Sequence, residues 1–200
     1  ALVYVNKALE INPGNTNAIL SKKYIRLGLA NDKLNTQEYG IAEIILQENF
    51  ENFENDTETL MNLGTLYLVS NQLDNAKKTY ELIGENPNKR LESLNGLCLT
   101  YHLNKNDKKA LKLSENAIIL LSDKTDEIIK KQTTERYVQA LIWNKKYRQA
   151  SKIIAVLLKE QPDQNWILAL VATLDTYKSD FKSSLEYYTQ VVVKDSTSFN

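Results

Sequence analysis

Apolar positions recur along this chain with two periods at once, one of a helical turn and one of 34 residues. Within residues 57–83, apolar side chains return every three or four positions, which is the spacing of one face of an α-helix. Four of them also return 34 residues later: Leu60, Leu63, Tyr67 and Ala76 recur as Leu94, Leu97, Tyr101 and Ala110. A fixed period of this length indicates an array of small units, each unable to bury its apolar face alone.

The clearest unit, at residues 57–87, predicts two helices joined by a short turn. Thr57 to Ser70 is the first helix, Asn71-Gln72 the turn, and Leu73 to Ile83 the second helix. Pro87 follows the second helix, where a proline ends a helix without breaking its interior. The pattern therefore predicts a helical hairpin as the repeated element.

The spacing within this unit resembles the tetratricopeptide repeat. The signature of that family appears here as Leu60-x2-Leu63-Gly64-x2-Tyr67, followed by Ala76-x3-Tyr80 and Pro87. Small residues such as Gly64 and Ala76 are expected where the helices cross closely, because a larger side chain would force them apart. The resemblance implies an all-α fold, a right-handed superhelical α-α solenoid of about eleven helices. In similar proteins the first helices line a concave groove and the second helices form the outer wall.

We therefore predict one tetratricopeptide array over the whole chain. Its expected parts are a half repeat at 1–13, a divergent repeat at 16–49, and repeats at 57–87, 91–121, 126–162 and 165–194. Neither end shows a complete capping helix, and arrays need capped ends for solubility, so we expect a piece of a longer protein.

Two parts of the array depart from the signature. In the divergent repeat, Lys22 and Lys23 stand where Leu-Gly is expected, residues 30–36 predict an enlarged loop, and residues 37–49 predict a helix. Residues 49–56 predict a polar linker. In the last repeat, the first helix is expected to slip its register by a residue or two.

The composition adds no strong charge bias to this picture. Apolar residues make up 42% of the chain, and 25 basic side chains balance 25 acidic ones. A neutral chain argues against nucleic acid as a partner, which needs a basic stripe, and against adhesion to anionic lipid. No apolar run approaches the roughly 18 residues needed for membrane insertion. Cys98 is the only cysteine, which excludes an internal disulfide, and both cytoplasm and periplasm remain open as the localisation.

Catalytic chemistry has little support in the sequence. Cys98 and the single histidine, His102, share a helix face, but a nucleophilic pair needs an orienting third group, and zinc needs two further ligands. Cys98 already stands at the small position of the helix crossing. The six glycines are scattered and form no phosphate-binding loop. We therefore expect no enzyme, no cofactor and no metal site.

The groove-facing positions of the first helices are the candidate partner-binding residues. They are the positions that the Leu-Gly-Tyr packing face does not use: Met61, Asn62, Thr65, Asn95, Leu99, His102, Glu135, Arg136, Gln139, Trp143 and Trp166. Asparagine holds a peptide backbone through its donor and acceptor, arginine pairs with carboxylates, and tryptophan is a frequent binding anchor. An equally weighted reading is that the two tryptophans simply pack between neighbouring units.

The resulting prediction is a protein-interaction scaffold that binds a peptide or helix of a partner in a concave groove. The alternative is an accessory region of a larger enzyme or envelope export machine, which organises an assembly or guides a polysaccharide. A helical-repeat RNA binder is disfavoured because the units lack a repeated base-reading pair. The two-carboxylate clamp of chaperone-adaptor repeats is not expected, because only Asn62 and Arg136 match it and Gly96 stands at an expected polar position.

Overall fold

A computed structural model describes residues 1–53, 56–162 and 164–197. Within these ranges the elements are eleven α-helices and one 3-10 turn at Pro87–Lys89. The helices are α1 (Leu2–Ile11), α2 (Thr16–Asn35), α3 (Tyr39–Asn52), α4 (Thr57–Val69), α5 (Leu73–Ile83), α6 (Arg90–Leu103), α7 (Asp107–Ile119), α8 (Glu127–Trp143), α9 (Tyr147–Glu160), α10 (Asn165–Tyr177) and α11 (Phe181–Thr197). The predicted all-α fold is confirmed. The chain divides within α6 into two compact units, one of residues 1–96 and one that begins at Leu97.

Five turns connect consecutive helices with one shared geometry. Each turn contains one residue in the left-handed region, with φ between 58° and 65°: Gln37, Asn71, Lys105, Lys145 and Ser179. The next residue donates its backbone N–H to a carbonyl five positions earlier, as Gln72 does to Tyr67 at 2.7 Å and Lys146 does to Leu141 at 2.8 Å. This is the Schellman arrangement, which satisfies carbonyls left open at a helix end.

The turn residues also show the true period of the array. Gln37, Asn71 and Lys105 follow one another at intervals of 34 residues, and the same interval separates Lys145 from Ser179. The interval from Lys105 to Lys145 is 40, because the link between α7 and α8 is longer and α8 begins with an extra turn. The period therefore reaches into the divergent first repeat, where the apolar pattern had not indicated it.

The predicted loop at residues 30–36 is wrong, because α2 continues as one helix to Asn35. Ala30 and Ala42 are fully buried and lie twelve residues apart, the interval that separates the small residues of the other helix crossings. The same interval recurs in Gly64/Ala76, Cys98/Ala110, Val138/Ala150 and Ala172/Ser184, all of them buried. Ala30, rather than Lys23, therefore occupies the glycine position of the signature. The last pair shows that α10 needs no slip of register.

The ends of α3 also differ from the prediction. Gln37 lies in the preceding turn with a φ of 61°, so the helix starts at Tyr39. It continues to Asn52, beyond the predicted end at Asn49, and Asn49 is fully buried instead of belonging to a linker. Residues 54 and 55 of the predicted linker lie outside the described residues. The helix continues past Asn49 because this polar residue is buried, and its side-chain amide has a hydrogen-bond partner inside the fold.

That partner belongs to a polar network that joins α2, α3 and α4. Lys23 Nζ lies 2.6 Å from Asp56 Oδ1 and 3.2 Å from Glu58 Oε2. Asp56 accepts from the backbone N–H of Thr59 at 3.1 Å and from its hydroxyl, and Asn49 Nδ2 donates to Thr59 Oγ1 at 3.0 Å. The buried lysine is tolerated because two carboxylates surround its ammonium. One carboxylate therefore caps α4 and binds α2 at the same time.

The predicted close approach at Gly64 is confirmed, and a second glycine shares it. A Cβ on Gly64 would lie 2.7 Å from the ring of Tyr80, and one on Gly96 would lie closer still to the same ring. Ser93 donates its hydroxyl to the Tyr80 carbonyl at 2.6 Å. The aromatic ring of α5 is thus held between the bare backbones of α4 and α6.

In the second unit the core is aliphatic. Its buried side chains include Val138, Leu141, Ile142, Ile154, Ile167 and Leu170. Trp143 and Trp166 are partly buried against this cluster. The core therefore fixes the position of both tryptophans and leaves part of each side chain exposed.

Candidate functional site

The predicted residues of the first unit offer a modest surface. Thr65 is exposed on α4, and Met61 and Asn62 are half-buried. Asn62 donates to the Glu58 carbonyl at 2.9 Å and Thr65 to the Met61 carbonyl at 3.0 Å, so both polar groups already bond within α4. Asn95 is only 8% exposed and presents little surface to a partner.

The second unit contains a stacked pair of aromatic rings. The imidazole of His102 on α6 and the indole of Trp143 on α8 have centroids 3.6 Å apart and planes 3° from parallel. His102 Nδ1 lies 2.6 Å from Asp107 Oδ1, and the Asn144 amide donates to the Asp107 carbonyl at 2.8 Å. Leu99, half-buried, lies one turn before His102. Asp107 therefore orients the His102 ring, and the Asn144 amide in turn ties Asp107 to the C-terminal end of α8.

Arg136 lies on α8 within a chain of polar side chains. Its Nη1 donates to Gln139 Oε1 at 2.8 Å, and Gln139 Nε2 donates to Glu135 Oε1 at 3.4 Å. Its Nε is buried and has no hydrogen-bond partner among the described residues. A guanidinium has five donors in a fixed fork. Arg136 therefore keeps unused hydrogen-bond donors on α8, the helix that also carries Trp143.

Trp166, at the start of α10, is the second half-buried tryptophan. The ammonium of Lys131 on α8 lies over its ring, 5.7 Å from the centroid. Both tryptophans pack against the core on one side and remain partly exposed on the other. Both tryptophans are therefore in part packing residues, and the exposed part of each remains a predicted contact for a partner.

Cys98 behaves as a packing residue. It is fully buried, and burial raises the pKa of its thiol to about 12, although the nearby Arg136 charge acts in the opposite direction. The thiolate is the reactive form of cysteine, so this side chain is poorly suited to act as a nucleophile near neutral pH. No group of three or more His, Cys, Asp or Glu in the described ranges is placed to hold a metal ion.

Sequence reasoning missed Lys131, Asp107 and Ile128. Asp107 orients His102, and Lys131 and Ile128 flank Trp166. Lys131 and Ile128 lie far in sequence from Trp166, and Ile128 is on the extra turn of α8, which has no counterpart in the repeat signature. Asp107 is close to His102 in sequence but lies after the turn, outside the first-helix positions considered. The 40-residue interval was the available signal, because an insertion into a regular repeat marks a place where extra surface is built.

No helix of the described chain is long and apolar enough to cross a membrane.

The chain matches no family model and no curated protein, but its fold resembles that of solved structures. A tetratricopeptide repeat protein from Parabacteroides merdae is 17% identical, with a TM-score of 0.70 over 96% of this chain and 72% of that one. PilF of Pseudomonas aeruginosa is 15% identical, with a TM-score of 0.64 over 87% and 77%. The protein YrrB is 16% identical, with a TM-score of 0.54 over 96% and 92%. The chain therefore has the fold of tetratricopeptide repeat proteins, as its signature residues predicted.

Proposed function

We propose that this chain is a protein-interaction scaffold that binds a peptide or helix of a partner along its first helices and contributes no catalysis. In this proposal it is a single array with the half repeat and five repeats predicted from the sequence. The observation that supports the function best is the stacked pair of His102 and Trp143 on the same unit as Arg136. The three side chains combine an aromatic surface with a hydrogen-bond donor group.

The aromatic pair is suited to binding because it is already ordered. The bond from His102 to Asp107 and the parallel stacking restrict both rings before a partner arrives. A side chain that is fixed beforehand loses little rotamer entropy on binding. Trp143 would supply apolar contact area and Arg136 a charged contact to a carboxylate or backbone carbonyl, the two kinds of contact that dominate binding hot spots.

The solved relatives add support of a general kind. YrrB is described as a tetratricopeptide repeat protein with an unusual peptide-binding site. The likeness to this chain is one of fold, so it supports a peptide or protein ligand as a class. It does not indicate which residues bind it.

The test is affinity capture with the chain as bait, in a parent form and an Arg136→Glu/Trp143→Ala form. We expect a partner captured by the parent to be lost with the double variant. The matched control is Arg148→Glu/Val156→Ala, which makes the same kinds of change at exposed positions of α9, a second helix. Circular dichroism of all three proteins separates loss of binding from loss of folding.

A partner that the α9 control loses, and the double variant retains, would contradict the proposal and move the site to the second helices. The alternative function, an accessory region of an envelope export machine or of an enzyme, has one observation in its favour. PilW, 12% identical with a TM-score of 0.64 over 84% of this chain and 76% of that one, is described as a type IV pilus biogenesis factor. Capture of envelope-machine subunits by both variants equally would favour it.

A further inference from the structure

A groove of about 390 Å³ lies in the second unit, where the ends of three helices meet. The first turns of α8, the last turn of α9 and the start of α10 form its walls. The side chains that matter for binding are Ile128, Lys131, Leu157, Gln161, Gln164 and Trp166. Glu127, Lys130 and Thr134 complete the lining, so the groove combines an apolar surface, two amides, a hydroxyl and three charged side chains.

The extra turn of α8 creates one wall of this groove. In α4 and α10, the crossing residues Gly64 and Ala172 lie seven residues after the helix start, whereas Val138 lies eleven residues after the start of α8. The added turn carries Ile128, which is 65% exposed. Ile128 and Trp166 line the same groove, so a ligand that covers both would remove apolar surface from water and gain free energy.

The groove also contains one uncompensated positive charge. Lys130 pairs with Glu127 at 2.6 Å and also donates to the Asp123 carbonyl at 3.4 Å. Lys131 has no ion-pair partner among the described residues, and its ammonium instead lies over the Trp166 ring. Trp166 and Leu157 are packed against the core, so the floor of the groove is ordered.

We propose that this groove binds a short acidic segment of a partner protein. The carboxylate of the segment pairs with Lys131, and an adjacent large apolar side chain enters between Ile128, Leu157 and Trp166. The amides of Gln161 and Gln164, which line the same groove, supply donors and acceptors for the backbone of the segment. This inference rests on the proposed function in requiring a protein partner, but it assigns the contact to Trp166 and not to the aromatic pair.

The charge and the ring together favour this occupant. A basic segment would be repelled by Lys131, and a neutral one would leave its charge unpaired. A sugar ring would have to displace the Lys131 ammonium from the indole face on which it would stack. An acidic segment with an apolar side chain pairs with the Lys131 charge and contacts the Trp166 ring.

The test is a titration of isotope-labelled protein with acetyl-Gly-Glu-Leu-Gly-amide, followed by the indole N–H signals of the two tryptophans. We expect a saturable shift of the Trp166 signal with an affinity of about 1 mM, while the Trp143 signal in the same spectra reports separately on any binding at the aromatic pair. The peptide with Gln in place of Glu should bind about threefold more weakly, because the exposed charge pair is lost.

Two variants separate the charge from the apolar contact. Lys131→Gln should abolish the preference for the Glu peptide, and Ile128→Ala should weaken both peptides equally. Lys124→Gln removes the same charge from the exposed link before α8 and should change neither affinity. All three side chains lie at the protein surface, so the variants are expected to fold.

Equal binding of the Glu and Gln peptides, or no saturable shift at about 5 mM, would overturn the proposal. A shift of Trp166 by cellotetraose but not by the peptide would assign the groove to sugars instead. A captured partner that Arg136→Glu/Trp143→Ala loses and Lys131→Gln/Ile128→Ala retains would overturn this inference while leaving the proposed function intact.

Discussion

The two units build the same helix crossing from opposite combinations of side chains. In the first unit, Gly64 and Gly96 leave bare backbone that the large ring of Tyr80 fills. In the second, the corresponding positions hold Val138 and Leu170 around Ile154, all of them buried. One large and two minimal side chains occupy a site that three medium ones occupy elsewhere. The comparison shows that the same helix crossing can be built from different combinations of side chains, provided that they fit one another.

The hairpin of α6 and α7, which lies between these two crossings in the sequence, uses a third combination of side chains. Ser114 stands at the position of Tyr80, sixteen residues after Cys98 as Tyr80 is after Gly64. Both the Ser114 hydroxyl and the Arg136 charge act on the Cys98 thiol, so both lie close to it. The serine is smaller than the tyrosine at the matching position, and its hydroxyl donates to the Leu111 carbonyl at 2.8 Å.

The largest effect is expected from filling the space beside Tyr80. Gly96→Ala places a methyl group inside the Tyr80 ring, and overpacking of this kind costs about 3 kcal/mol of unfolding free energy. Urea denaturation of parent and variant measures the difference.

Gly28→Ala is the matched control, because a Cβ there meets no atom within 4 Å. It should stabilise α2 by about 1 kcal/mol, as expected for alanine in a helix interior. Equal effects of the two substitutions would show that the crossing in the first unit does not depend on volume.

An intermediate effect is expected from the polar network that only the first unit possesses. Lys23→Met leaves Asp56 without its main partner and should cost about 2 kcal/mol at neutral pH. Burial alone would raise the pKa of Asp56, but the hydrogen bonds from Lys23 and Thr59 outweigh it and lower the pKa. Burial would likewise lower the pKa of Lys23, and the bonds to Asp56 and Glu58 raise it.

The sign of the pH dependence follows from these two shifts. The contribution of Asp56 is present above its unfolded pKa and is lost as the pH falls through its lower folded value. The contribution of Lys23 is present at neutral pH and is lost as the pH rises through its raised value. The stability difference between parent and Lys23→Met should therefore shrink toward pH 2, as measured by urea denaturation across pH. A constant difference from pH 7 to pH 2 would contradict this role of the pair.

The smallest effect is expected at a turn that both units share. Lys145→Gly should stabilise the protein by about 1 kcal/mol, because a left-handed φ of 59° is costly for lysine and free for glycine. Lys152→Gly, the same exchange at an exposed position inside α9, should destabilise by about the same amount. Thermal denaturation of both variants tests the sign, and two destabilised proteins would show that the turn is not strained.

The predictability of the fold varied with the strength of the local pattern. The hairpin at residues 57–83 was predicted within one residue, because its signature positions are spaced as a helix requires. The α2–α3 hairpin was misread, since Lys22 and Lys23 in the assumed signature position hid Ala30 and Ala42. The five turn residues share a geometry but are Gln, Asn, Lys, Lys and Ser, so composition could not reveal them.

The candidate site was only partly predictable for a different reason. The residues on α8 follow from helical spacing, which places them on one face. The stacking of His102 on Trp143 joins residues 41 positions apart, across the longest link between repeats. The same helical spacing predicted that Asn95 would face the groove, yet neighbouring residues bury it.

The sequence by itself determined the helices, their pairing into hairpins and the class of fold, because each depends on periodicity within about 34 residues. Only the tertiary structure decided which lysine is buried, which histidine ring lies on which tryptophan, and where the extra turn of α8 opens a groove. Those outcomes depend on how volumes and charges from separate helices fit together, and no single segment contains that information.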